Sequence, residues 1–133
     1  MACLTETVAV ALIGAERAAM PEGPLRDLLT AIWADEIGHA RFGWRLLDLA
    51  GPRLDAAGHQ RLEAYLEIAL AHLIEHELEH LPADFRAPPG GEALGLCDGR
   101  EARGLFAATL DAVLLPALAR RGLQPSERWP HAS

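Results

Sequence analysis

A glutamate and a histidine stand three residues apart where the surrounding sequence predicts an apolar helix face. With 3.6 residues per turn, Glu36 lies at the centre of an apolar stripe, and His39 lies about 60° to one side on the same face. The stripe consists of Leu25, Leu29, Ile32, Ala40, Gly43, Leu47 and Ala50. A carboxylate there costs free energy unless it is paired or binds a metal. The Glu-x-x-His spacing therefore predicts two metal ligands, and a metal-free Glu36–His39 pair is the alternative.

Glu6 has the same character in the preceding helical segment. The residues from Val8 to Ala15 are apolar all round except for one glycine, so we expect Glu6 to be buried. A buried glutamate needs a partner, which makes Glu6 a third candidate ligand. The alternative is a glutamate near the start of the chain that reaches water or interacts with the helix dipole.

A second Glu-x-x-His pair, Glu77 and His80, lies on the third helical segment. Glu77 falls on a stripe formed by Leu66, Leu70, Leu73 and Leu81. Glu75, Glu79 and His72 lie on the far side of the helix, so a solvated polar face near a helix end explains this cluster better. Glu77 and His80 remain secondary metal candidates. A surface row of His72, His76 and His80 could bind a divalent cation weakly without a selected function.

Proline and glycine divide the chain into four helical segments. They are predicted at about residues 4–20, 25–50, 56–81 and 100–121, with a bend near Pro116 in the last. No stretch alternates with period two for long enough to form a strand, so the predicted class is all-α. Residues 1–121 are expected to form one helical domain, followed by a flexible tail over residues 122–133.

Composition excludes several classes of protein. The 133 residues are 50% hydrophobic but only 5% aromatic, which suits one domain with an aliphatic helical core. A net charge of −7 with scattered arginines argues against nucleic-acid binding. Two cysteines, Cys3 and Cys97, cannot support a disulfide scaffold, so we expect a cytoplasmic protein. The apolar run from Val8 to Ala15 is too short to span a bilayer, so no membrane partner is expected.

The residues around Glu36 resemble a known metal-binding pattern. The segment from Ala34 to Arg45 resembles the last ligand helix of ferritin-like di-iron carboxylate proteins, where D-E-x-x-H-A-x-x-G/A-W is frequent. The segment from Cys3 to Thr7 is similar to the start of the preceding ligand helix. The resemblance implies a ferritin-like bundle of about four helices that binds two iron ions, or manganese, and reacts with O₂ or peroxide. The substrate stays open, since this family supports several reactions.

The resemblance also implies roles for individual side chains. Glu6 would bridge the metals, Glu36 would bridge or chelate, and His39 would be a terminal ligand. Asp35 would either interact with one of the ligand side chains without binding the metal itself or be exposed to solvent. Trp33 and Trp44 would pack, in preference to a role in electron transfer.

Only the second half of the family's ligand set is present, because no Glu and Glu-x-x-His precede Glu6. Three explanations are open: the chain is N-terminally incomplete, two chains form a homodimer with one symmetric site, or Glu77 and His80 fill in. Helix order argues against the third. Two functional classes follow, a metal-dependent oxidoreductase or iron-handling protein, and a non-catalytic helical interaction module with a degenerate site.

Overall fold

The computed structural model describes residues 2–124, which form a bundle of four helices and contain no strand. The helices are α1 (Ala2–Ala19), α2 (Pro24–Ala50), α3 (Ala56–His80) and α4 (Gly99–Ala119). Short 3-10 turns cover Gly51–Arg53 and Gly91–Leu94. The prediction of an all-α bundle is confirmed. Most of the predicted tail, residues 125–133, lies outside the described residues.

The helix boundaries follow from local sequence. Pro24 occupies the first turn of α2, where a missing N–H group costs nothing. The Asp55 side chain caps α3 by accepting a hydrogen bond from the Gly58 backbone N–H at 2.7 Å. Pro82 follows the last turn of α3 and cannot extend it. These punctuating residues explain why the predicted helix limits agree with the structure to within about two residues.

The fourth helix continues through the position where a bend is predicted. Residues Gly99–Thr109 are α-helical, Leu110–Leu114 form a π-helical segment, and Leu115–Ala119 are α-helical again. Pro116 lacks an N–H group and cannot bond the carbonyl of Ala112, so the preceding turn loses its regular α-helical ladder. The helix accommodates the proline by forming one wider, π-helical turn before it.

The hydrophobic core lies between α1, α3 and α4. Its largest fully buried side chains are almost all aliphatic, as the composition predicts, with one phenylalanine among them. They are Leu4, Val8, Leu70, Phe106, Leu114, Leu118 and Leu123. Arg103 joins α4 to the end of α3 by donating from its Nη2 to the carbonyl of Leu78 at 2.8 Å. Three helices therefore enclose the core without a large contribution from α2.

The stretch Gly99–Ala119 is also long and apolar enough, by length and composition, to cross a membrane. Phe106, Leu110, Leu114 and Leu118 are fully or almost fully buried against the other helices. The apolar residues of α4 thus build the bundle core. The absence of a membrane partner and the cytoplasmic location remain predictions.

The second helix is far more exposed than its sequence predicts. Ala40 is its one buried residue, whereas Leu25 and Ile32, both on the predicted core stripe, are 40% and 38% exposed. The reason is that α2 packs mainly on α1, and only Trp44 and Leu47 reach the core cluster from α2. The prediction that Glu36 lies on a stripe facing the core is therefore wrong in part, because most of that stripe is covered by α1 and its residues Leu25 and Ile32 are exposed.

The contact between α1 and α2 is close and fixed at two points. A Cβ atom on Gly43 would lie 2.7 Å from the backbone nitrogen of Cys3, so only glycine fits where the helices approach. Trp33 donates from Nε1 to the carbonyl oxygen of Val10 at 2.9 Å. Trp44 donates from Nε1 to the Thr7 hydroxyl at 3.0 Å. These contacts set the register of the two helices.

We predict that Gly43→Ala destabilises the protein by about 1–3 kcal/mol, because the added methyl group meets backbone that cannot move aside. Gly104→Ala is the matched control, since Gly104 is an exposed helical residue of α4 at which a Cβ atom meets nothing within 4 Å. On helix propensity alone the control should gain about 0.5–1 kcal/mol. Urea unfolding followed by circular dichroism measures both. Equal effects of the two substitutions would contradict the close approach.

Candidate metal centre

Glu6 of α1 and Glu36 and His39 of α2 converge at the helix contact. One ligand atom from each of the three side chains lies within 4.8 Å of the other two. The convergence follows from the register, because Glu36 lies between Gly43 and Trp33 on α2, and Glu6 lies between their partners Cys3 and Val10 on α1. The three residues that the sequence singles out as ligands are therefore neighbours in space.

The cluster lies at the surface and not in the core. Glu6 and Glu36 are half-buried and His39 is exposed. The Glu36 side chain is 23% exposed and the His39 side chain is 55% exposed. The expectation of buried glutamates is thus met only in part, for the same reason that α2 itself is exposed. A metal ion or a partner protein can therefore reach His39 and Glu36 directly from solvent.

His39 lies between two carboxylates of its own helix. Its Nδ1 is 3.3 Å from Glu36 Oε2, within hydrogen-bond distance, and its Nε2 is 3.8 Å from Asp35 Oδ2. The Asp35 side chain is 74% exposed, which agrees with the predicted alternative that Asp35 faces solvent. Both neighbouring carboxylates favour the imidazolium form, so Glu36 first and Asp35 second raise the pKa of His39.

The two glutamates influence each other's protonation. A hydrogen bond between their carboxyl groups raises the pKa of Glu6, and burial and the negative charge of Glu36 add to this effect. The same hydrogen bond, together with one from His39, lowers the pKa of Glu36. A proton shared by the pair therefore resides on Glu6, and once that proton is lost the two carboxylates repel each other. A bound cation would relieve that repulsion.

The donor set fits a hard or borderline divalent cation. Two carboxylate oxygens and one imidazole nitrogen, with no thiolate nearby, suit iron or manganese better than a zinc-thiolate site. Two ligands of one ion at metal–ligand distances of about 2.0–2.3 Å are at most about 4.6 Å apart, close to the spacing found here. Three donors satisfy only half of an octahedral shell. The rest must come from water or from other protein groups.

The secondary candidates do not join this cluster. Among the described residues, Glu6, Glu36 and His39 form the one group of three or more such side chains close enough to hold a metal ion. Glu77 is half-buried and His80 is exposed at the end of α3. His80 donates from Nδ1 to the His76 carbonyl at 2.8 Å, and the His76 and His80 rings lie 4.4 Å apart. This geometry is that of a histidine row along a helix surface.

The tryptophans have roles that the sequence did not reveal. Besides their hydrogen bonds to α1, each carries an arginine over its ring: Arg17 over Trp33 and Arg121 over Trp44, both at 4.6 Å. Arg121 also makes a two-point ion pair with Asp48 at 2.6 and 3.1 Å. Both tryptophans therefore stiffen the helix pair that carries the candidate ligands. The one indication of this role in the sequence is that Trp33 precedes Glu36 and Trp44 follows it on the same helix.

Neither cysteine belongs to the cluster. Cys3 is buried and Cys97 half-buried, and both are free thiols. Burial raises the pKa of each thiol, which keeps it protonated and unreactive. Cys97 lines a largely apolar cavity of about 570 Å³ between the C-terminal half of α1, the 3-10 turn at Gly91–Leu94 and the start of α4. None of the three candidate ligands lines that cavity.

Comparison with protein-family models, with curated protein sequences and with solved structures finds no match to this chain. The resemblance to ferritin-like proteins therefore rests on the residues of the chain itself, chiefly those from Ala34 to Arg45.

We predict that Glu6→Gln stabilises the metal-free protein at pH 8 and has little effect at pH 4. The raised pKa of Glu6 means that the folded state holds its proton more tightly than the unfolded chain, so this contribution is present at low pH and lost as pH rises through the folded pKa. The glutamine amide keeps a donor toward Glu36 at every pH. Thermal unfolding in a chelator measures the difference. Glu67→Gln on the exposed surface of α3 is the control, and destabilisation by Glu6→Gln at pH 8 would contradict the shared proton.

Proposed function

We propose that this protein binds iron or manganese through Glu6, Glu36 and His39 and belongs to the ferritin-like di-metal carboxylate proteins. The observation that carries the proposal is the convergence of these three side chains from two helices. They are the same three residues that the motif predicts, and the sequence alone could not ensure that Glu6 meets the α2 pair. The helices hold them by contacts that do not involve the ligands themselves.

The chemistry that bound iron or manganese would supply is oxidation and reduction with O₂ or peroxide. The chain contributes the binding groups and their charge. Glu6 and Glu36 would provide anionic oxygen donors, and Glu6 would give up its proton when a cation binds, because the pKa raised by Glu36 falls once the repulsion is removed. Asp35 near His39 favours a fixed ring orientation for the imidazole.

A single chain supplies only half of the expected ligand inventory. Two copies of Glu6, Glu36 and His39 provide four carboxylates and two imidazoles, which is the set that ferritin-like di-metal sites use. A homodimer with twofold symmetry would place both halves at one site. This proposal accounts for the half-complete coordination and for the exposure of the ligand helix.

We predict that the purified protein takes up about one Mn²⁺ or Fe²⁺ per chain under anaerobic conditions, and that Glu36→Ala lowers the affinity by at least about tenfold. Equilibrium dialysis with elemental analysis gives both numbers. Glu77→Ala, which removes the half-buried glutamate of the other Glu-x-x-His pair, should leave the affinity unchanged.

Uptake of less than about half an ion per chain would contradict the proposal. That result would favour a non-catalytic helical module in which the hydrogen bonds among Glu6, Glu36 and His39 satisfy the cluster without metal. Under that alternative, Glu36→Ala would leave the protein folded and equally or more stable, since it removes one of two facing carboxylates.

A further inference from the structure

The exposed face of α2 carries a heptad pattern that is symmetric about its centre. Six large apolar side chains on this helix are between 38% and 67% exposed. They are Leu25, Leu28, Ile32, Phe42, Leu46 and Leu49. With Asp35 and His39 they fill every a and d position of a heptad repeat from residue 25 to residue 49. We call these eight residues the α2 seam.

A seam of this kind is the contact surface of a coiled coil. Alternating three- and four-residue spacing keeps one narrow stripe in line along the helix, here for about 36 Å. In this chain the α2 seam faces solvent, because α1 covers the neighbouring face that holds Gly43, Trp44 and Leu47. Scattered exposed leucines are common on protein surfaces, but six large apolar side chains in heptad register along one exposed face mark an interface.

The order of residues in the α2 seam identifies the partner. Reflection about residue 37 exchanges Leu25 with Leu49 and Leu28 with Leu46, and it exchanges Ile32 with Phe42. In an antiparallel pair of identical helices related by a twofold axis at residue 37, each of the six apolar residues therefore faces an apolar residue of the other helix. The two polar positions obey the same rule, since Asp35 and His39 lie two residues on either side of the centre.

Charge complementarity supports the same arrangement. In the antiparallel pair, Asp35 of each copy faces His39 of the other, so an acid meets a base twice at the centre of the seam. A parallel pair would instead set Asp35 against Asp35 and His39 against His39, which costs free energy.

The small residues Ala31 and Gly38 border the seam and leave room for close approach near the centre. Gly38 is exposed, and a Cβ atom there would meet nothing within 4 Å. On the other border lies Glu36, one residue from the symmetry centre. An antiparallel pairing centred at residue 37 brings the Glu36 side chains of both copies to the same level, with Glu6 and His39 of each copy beside them.

We propose that two copies of this chain associate through an antiparallel α2–α2 coiled coil centred at residue 37, which unites two sets of Glu6, Glu36 and His39 at the twofold axis. The association itself depends on the α2 seam, and its role in metal binding rests on the proposed function. The partner is a second copy because the seam of this chain matches itself at all eight positions under the reflection that a twofold axis imposes.

Paired variants with one exposed cysteine each test the orientation, and the buried Cys3 is retained in all of them. In a background with Cys97→Ser, Leu25→Cys and Leu49→Cys are each oxidised alone and then as an equimolar mixture, in the presence of EDTA. The antiparallel arrangement predicts a disulfide-linked dimer in the mixture and little in either variant alone. Crosslinking of each variant with itself, or of none of the samples, would overturn it.

Sedimentation equilibrium in EDTA tests the association independently. The wild-type protein should be dimeric and Leu46→Glu should weaken the dimer at least about tenfold, while circular dichroism stays unchanged because Leu46 is 56% exposed within one chain. The matched control is Ala34→Glu, an exposed position of α2 outside the seam. A wild-type monomer would overturn the proposal and leave the face to another partner.

Metal uptake is then measured on the same samples, so that a failure of the dimer proposal can be distinguished from a failure of the proposed metal-binding function. A dimer that binds no metal would retain the α2 seam and contradict the proposed function. A monomer that binds one ion per chain would retain the ligand cluster and contradict the seam.

Discussion

The close antiparallel contact between α1 and α2 determines the rest of the candidate site. At Gly43 the two backbones come so near that a single methyl group would meet the Cys3 backbone. This proximity places Glu6 against Glu36 and permits the hydrogen bonds from Trp33 and Trp44 to α1. A pair of facing carboxylates is unfavourable by itself. The packing of the helices holds the carboxylates together against their repulsion, which is a common feature of sites that bind cations.

The same arrangement explains the unusual exposure of α2. A helix with one face on α1 and a second apolar face toward solvent is only partly used by the monomer. The core of α1, α3 and α4 is complete without that second face. The α2 seam and the half-complete ligand cluster lie side by side on the same helix, so one event, the docking of a second copy, would satisfy both.

Much of the fold could be predicted from the sequence because residues that begin or end helices stand at most of the helix boundaries. Pro24, Asp55 and Pro82 mark helix ends by mechanisms that depend on neighbouring residues alone. The candidate pair Glu36 and His39 could also be identified from the sequence, since a spacing of three residues places two side chains on one helix face. The exposure of α2 was not, because a helical wheel shows which side is apolar but not how many helices cover it.

The sequence also contained information that a simple apolar stripe conceals. On α2 the residues facing α1 and the residues of the seam are adjacent, and a single stripe centred on Glu36 merges them. The structure separates the two faces by showing that Trp44 and Leu47 reach the core while Phe42 and Leu46 do not. Likewise, the hydrogen bonds of Trp33 and Trp44 depend on tertiary contacts, so their role in holding α1 could not be read from spacing.

The proposed function requires that Glu6, Glu36 and His39 hold a metal ion. The most direct measurement is a crystal structure of the protein grown with Mn²⁺, with anomalous diffraction used to locate the ion. We expect an anomalous peak within about 2.0–2.4 Å of donor atoms from all three side chains. A fully occupied manganese peak elsewhere, such as on the His72, His76 and His80 row, with none at the α1–α2 cluster, would contradict it.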